Sequence, residues 1–230
     1  MLDEWIRTFV VLFVVIDPIG LAPIFAALTP SDDPSYRKHM ALKGTGIAAL
    51  ILFSVMLAGD RVLKWLGIGL PAFRIAGGVL LFLLAIEMVF ARRSGLQGTT
   101  ALEQEEAERK ADVSVFPLAF PLIAGPGAIT TVLLMTAGDR IGFALYFRLF
   151  VVLIAVLLLT LASLLLASRI AKLLGETGTN IISRLLGLVL AALAAQFVLD
   201  GLQASLALRA GAESPVVLAA LGLGNAPGLA

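Results

Sequence analysis

The sequence predicts an all-α, polytopic membrane protein with six transmembrane helices arranged as two inverted three-helix repeats, the first and fourth helices being discontinuous. Three observations predict it. The 230 residues are 60% hydrophobic and only 14% charged, with mean hydropathy +1.01, which is more apolar surface than a water-facing domain of that length can hide. Six segments approach the roughly 20 apolar residues that a spanning helix needs. A shift of 108 residues lays parts of the chain on itself, with a Gly/Pro interruption at the same place in each half.

The six segments are 5–29, 41–58, 71–90, 113–137, 149–168 and 183–207. The first begins in MLDEWIRTFVVLFVV, where Asp3 and Glu4 outweigh Arg7 and the apolar run outlasts that of a cleavable leader, so a retained helix is expected. Residues 1–230 form one membrane domain, with repeat 1 at 5–90, a polar linker of mixed charge at 91–112 and repeat 2 at 113–208. The tail is interrupted by Glu213, Pro215, Asn225 and Pro227 and is too broken for a seventh span. Lysine and arginine are more frequent on the side that carries Arg37, Lys38, Lys43, Arg92, Arg93 and Arg169 than on the side of Arg7, Arg61, Lys64 and Arg148. The positive-inside bias therefore places the linker in the cytoplasm and both termini outside, in the periplasm.

The repeat rests on several matches at nearly one spacing. RVLKWLG (61–67) falls on RIAKLLG (169–175) and Pro18 on Pro126, while an offset of 110 brings FRIAGGVLL (73–81) onto SRLLGLVLA (183–191), aligning Arg74 with Arg184 and Gly77 with Gly187. A unit of three spans is odd, so the second copy enters the membrane upside down. That architecture is found chiefly in transporters, where two half-structures exchange roles around a fixed site.

Within each copy the first helix is interrupted, at IDPIGLAP (16–23) and at FPLIAGPGAITT (120–131). Proline lacks a donor and collides with the preceding turn, and glycine admits backbone angles that other residues avoid. Trp5 to Ile16 spans about 18 Å of helix, so Asp17 falls near the middle of a core roughly 30 Å thick. The amides that open the second half-helices, near Pro18, Ile19 and Gly20 in one copy and Gly125, Pro126, Gly127 and Ala128 in the other, suit a carboxylate. Carbonyls ending the preceding half-helices, or Asp17, suit an ammonium. A small zwitterionic solute matches both. Thr130 and Thr131 follow the second break, where a hydroxyl either bonds back to its own helix or faces the solute. Asp17 is equally a helix cap accepting from Ile19 or Gly20 and, because burial and a bound ammonium both act on its proton, the candidate for coupling proton and solute movement.

At these residues the sequence resembles the MarC family of bacterial inner-membrane proteins, which is similar to small neutral amino acid transporters of the SnatA type. IDPIGLAPIF, the RIAGG stretch at 74–78 and FPLAFPLIAGPGAIT carry the resemblance. It implies a six-helix, multi-pass inner-membrane fold with discontinuous first and fourth helices. For SnatA-like members it implies movement of glycine and alanine by alternating access.

Other classes fit less well. With no cysteine and one histidine, His39, neither disulfides nor a Cys/His metal site is expected, and GxxxxGK[ST] is absent, so no cofactor is expected. A net charge of +1 without a basic stripe argues against nucleic acid. Asp17 and Asp200 lack the flanking pattern of an intramembrane aspartyl protease, so no enzyme is expected. Glu87, Asp200 and Gln196 lie near span ends, Arg74 and Arg184 are expected to snorkel to headgroups, and small residues such as AGG (76–78) explain close helix approach. Membrane lipid is the expected environment, a homo-oligomer is compatible with the sequence, and an exporter of another small metabolite or drug-like solute, or a membrane protein that transports nothing, is the alternative reading.

Overall fold

The computed structural model describes residues 2–29, 33–90, 112–137 and 142–212; the linker expected at 91–112, except Asp112, and the tail after 212 lie outside them. All regular structure among the described residues is helical: α1 (Leu2–Ile16), α2 (Pro18–Leu28), α3 (Pro34–Trp65), α4 (Leu70–Phe90), α5 (Ser114–Ile123), α6 (Pro126–Thr136), α7 (Phe143–Leu165) and α8 (Ala167–Ala212). Five helical runs are long and apolar enough to cross a membrane, Leu2–Leu28 counting as one, and α5 with α6, bent by 54°, makes a sixth if the bent pair is counted as one span.

The elements begin where backbone chemistry favours a start. Pro18, Pro34 and Pro126 stand at the first turn of α2, α3 and α6, where a missing N–H costs nothing. Asp33 caps α3 by accepting from the amide of Ser35 at 2.9 Å. The segment before α6 is less regular than the sequence suggested. Phe116 and Phe120 hold extended backbone angles inside α5, as residues before proline must, and both Phe–Pro peptide bonds are cis. Its turns are wide, with the Leu118 amide donating to the Val113 carbonyl and that of Ala124 to Ala119. At the other end of the chain the expected polar connection between the fifth and sixth segments is itself helical and belongs to α8, which is interrupted at Gly175.

Close approach of helices fixes the bundle. α4 and α8 run antiparallel: a Cβ on Gly78 would lie 2.9 Å from the Ala194 carbonyl oxygen, one on Gly201 2.9 Å from that of Pro71, and one on Gly187 2.8 Å from Cβ of Met88. Gly44 receives Leu118 of α5, Gly59 receives Leu133 of α6, and Gly77 receives the methyl of Thr130. Such small-residue contacts replace the hydrophobic driving force that lipid cannot supply between helices. Leu12, Ile16, Phe25, Leu52, Leu81, Leu118, Ile123, Val132, Leu149 and Leu153 fill the core, while Leu50, Leu57, Leu83, Leu158 and Leu188 are exposed, as lipid-facing side chains are. Asp112, just before the fourth span, pairs with Lys43 of α3, and the Lys43 ammonium together with Ser114 holds the Asp112 carboxyl well below the usual carboxylate range.

Two pairs of features stand 108 residues apart. α2 and α6 have the same length, 11 residues, and both start at the proline of the aligned pair. Gly67 and Gly175, aligned by the same shift, are the glycines with positive φ among the described residues, at 69° and 61°.

Candidate functional site

The interruption in the first span is confined to one residue. Asp17 takes the left-handed conformation, φ 48° and ψ 64°, which aspartate tolerates better than most residues but which still stores strain. Helical bonding continues on both sides of it: its amide donates to the Phe13 carbonyl and its carbonyl accepts from the Leu21 amide, both at 3.0 Å. The side chain turns forward over α2. Oδ1 accepts from the Gly20 amide at 3.0 Å, so the expected cap is made. Oδ2 lies 3.4 Å from the Ser183 hydroxyl of α8, and Asp17 is 4% exposed. A buried carboxylate is thus satisfied by one helix start and one serine, with room for more donors. A Cβ on Gly20 would fall 2.1 Å from Oδ2, so glycine there lets the carboxylate lie over α2.

The second break lies against the last turn of α1, at Val15. A Cβ on Gly127 would meet Cγ1 of Val15 at 3.4 Å and Leu84 at 2.8 Å. Between them Val15, Leu84, Pro121, Gly125, Gly127 and Ala128 line a crevice of about 10 Å³, room for at most about one water. Gly125 is the counterpart of Asp17 and is held close to the backbone of α5: its Cβ would lie 2.2 Å from the Pro121 carbonyl oxygen. Pro18 and Ala128 are buried, and Ile19, Pro126 and Gly127 are half-buried. The structure therefore brings Gly125, Gly127 and Ala128 to the foot of α1. The hydrogen-bond partners of the Asp17 carboxylate, however, are Gly20 and Ser183, neither of which belongs to the second break.

The two threonines separate in role. Thr130 packs its methyl on Gly77. Thr131 is fully buried, and its hydroxyl has no hydrogen-bond partner among the described residues, not even the back-bond that Thr136 makes to Val132 at 2.9 Å. A buried hydroxyl left unpaired costs about 1–3 kcal/mol. Such a group calls for an explanation.

Sequence reasoning missed Ser183 and a polar cavity on the side of the N-terminus. Serine next to the repeat-matched Arg184 carried no signal, because its partner is 166 positions away. The cavity, about 260 Å³, is lined by Glu4, Arg7, Thr8, Arg148 and Gln196 together with apolar residues that include Val11, Met135, Leu193 and Phe197. Glu4 and Arg148 pair across it, and Gln196 donates to Asp200 at 2.6 Å. Its lining residue Val11 on α1 lies one turn from Val15, so it approaches the crevice between the breaks.

Known sequences resemble the chain over most of its length. The sequence profile described as "MarC family integral membrane protein" matches residues 2–206. A UPF0056 membrane protein of Archaeoglobus fulgidus is 40% identical over 210 residues, covering 87% of this chain and 93% of the relative. UPF0056 membrane protein YvbG of Bacillus subtilis is 36% identical, with 86% and 93% covered. UPF0056 inner membrane protein YhgN of Escherichia coli is 32% identical, with 88% and 98% covered. No solved structure matches significantly.

Proposed function

The chain belongs to the MarC family of integral membrane proteins, and on that premise we propose that it is a secondary transporter of small neutral amino acids such as glycine and alanine. In this reading two inverted three-helix repeats alternate around a site at the breaks before α2 and α6. The observation that carries it is the pair of equal, proline-started helices, Pro18–Leu28 and Pro126–Thr136, the second of which starts against the last turn of α1, where Gly127 faces Val15. A helix start offers amides to a carboxylate, and interrupted helices in corresponding places are the pointer to a binding site in such folds.

The matching 108-residue offset of Gly67 and Gly175 supports duplication, and duplication of three spans implies inversion. The crevice of about 10 Å³ is too small for an amino acid, so in this reading the conformation is taken as closed and the site opens by movement of one half against the other. The cavity at Glu4, Arg7 and Arg148 offers both signs of charge to an arriving zwitterion. In the open form the unpartnered Thr131 hydroxyl and the amides of Gly127 and Ala128 receive the carboxylate, and Asp17 receives the ammonium. Exchange of its Gly20 and Ser183 partners for an ammonium changes the affinity of Asp17 for a proton, which is the proposed basis of coupling. The bias of lysine and arginine orients both termini to the outside.

Counterflow of labelled glycine and alanine in proteoliposomes tests this reading. Accumulation of both against an internal unlabelled pool is expected. Absence of counterflow for every small amino acid, with export of a larger solute instead, transfers the assignment to the second reading, which the 260 Å³ of the outer cavity favours.

A further inference from the structure

A second cavity, about 300 Å³, lies at the opposite end of the bundle from the Glu4–Arg148 cavity, where the end of α2, the start of α3, the end of α7 and the start of α8 converge. Arg37, Lys38 and Arg169 stand on its wall, and no carboxylate is among the described residues that line it. The nearby Asp33 is engaged at the start of α3 with the Ser35 amide.

Arg37 is held in place. Its Nε donates to the Thr29 carbonyl at 3.0 Å and its Nη1 to the Ser168 hydroxyl at 2.6 Å. Those two bonds tie α2 and α8 to α3 and use two of the five guanidinium donors, leaving the rest of the fork in a fixed direction. Lys38 and Arg169 are exposed and reach the same space from α3 and α8. Pro34, also on the wall, opens a helix of 32 residues, whose dipole adds to the positive potential. Phe25, Ala26, Leu164 and Leu165 complete the lining, and Leu165 is 48% exposed, so the cavity joins three cations to an apolar surface that acyl chains can reach.

We infer that this cavity binds a phosphate-bearing anion through Arg37, Lys38 and Arg169. A pre-set guanidinium fork with two mobile cations is the arrangement that receives phosphate oxygens, and basic pockets between membrane helices take anionic headgroups. Ordinary positive-inside residues need no cavity and no anchored arginine; these three have both.

Native mass spectrometry of the full chain in detergent tests it with three probes: phosphatidylglycerol, phosphatidylcholine of the same acyl chains, and inorganic phosphate. Saturable retention of phosphatidylglycerol over phosphatidylcholine identifies a lipid headgroup as the source. Binding of inorganic phosphate with no preference between the lipids identifies a soluble one. In either case the Lys38→Gln/Arg169→Gln double variant, at exposed positions, should bind the preferred probe about thirty-fold more weakly, while Arg61→Gln, which removes one cation far from the cavity, binds as the unaltered chain does. Arg37→Lys keeps the charge and loses the fork, and should bind several-fold more weakly. No saturable binding of either anion, or equal binding by all the variants, overturns the inference.

Discussion

Gly20→Ala tests the geometry at the first break. A methyl on Gly20 would stand 2.1 Å from Oδ2 and 2.8 Å from Cγ of Asp17, so the carboxylate must rotate away from α2. Rotation breaks the 3.0 Å bond from the Gly20 amide and the longer contact with Ser183. Loss of such a cap costs about 1–2 kcal/mol, and alanine in place of glycine in a helix returns about 0.5–1 kcal/mol. The net expectation is a loss between zero and about 1.5 kcal/mol. Gly46→Ala is the matched control: it sits inside α3 with open space where its Cβ would be, and should gain about 0.5–1 kcal/mol. Denaturant unfolding in detergent micelles reads the difference, expected to be about 1–2 kcal/mol, and in an Asp17→Ala background the Gly20→Ala penalty should vanish. Equal stabilisation by Gly20→Ala and Gly46→Ala, or a penalty that persists without the Asp17 side chain, refutes the reasoning.

Thr131→Val replaces an unpartnered buried hydroxyl with a methyl of the same shape; stability should stay level or rise by about 1 kcal/mol, while half-saturation for glycine in counterflow rises several-fold. Gly78→Ala drives a methyl onto the Ala194 carbonyl and the Val198 amide, backbone groups that cannot step aside, and should destabilise the α4–α8 pair by about 1–3 kcal/mol, measured by the same unfolding assay. Asp112, held below the usual carboxylate range by Lys43 and Ser114, stabilises the folded state at neutral pH. Because its folded value is the lower one, that contribution is present above about pH 4 and fades as pH falls further, toward the folded value. The stability gap between the unaltered chain and Asp112→Asn should therefore shrink on acidification below pH 4.

Much of the fold was legible because lipid imposes simple rules. Length and hydropathy gave the spans, and Pro18, Pro34 and Pro126 mark helix starts through a local steric property of their own rings. The breaks were legible as places but not as shapes: Asp17 interrupts its span by one residue, whereas α5 is irregular for its whole length, because each Phe–Pro pair forces an extended residue into the coil. The cap from Asp17 to Gly20 is three residues long and so could be foreseen. Ser183, the Arg37–Ser168 bond and the Glu4–Arg148 pair could not, since each joins residues far apart in the chain and depends on how α8 and α7 close around α1, α2 and α3. The helical character of 169–182, broken at Gly175, was hidden for a different reason: its polar residues look like a loop in hydropathy, but only Gly175 leaves helical angles.

The central claim is that the starts of α2 and α6 together receive a small zwitterion. The chain contains no cysteine, so single thiols at Ile19→Cys and Ala128→Cys report on that place directly. In proteoliposomes both should react with a small membrane-impermeant maleimide reagent applied from an aqueous side, and saturating glycine or alanine should slow both reactions about tenfold. Thiols that stay inert to the reagent from either side, or that react at the same rate with and without the amino acids, would contradict it.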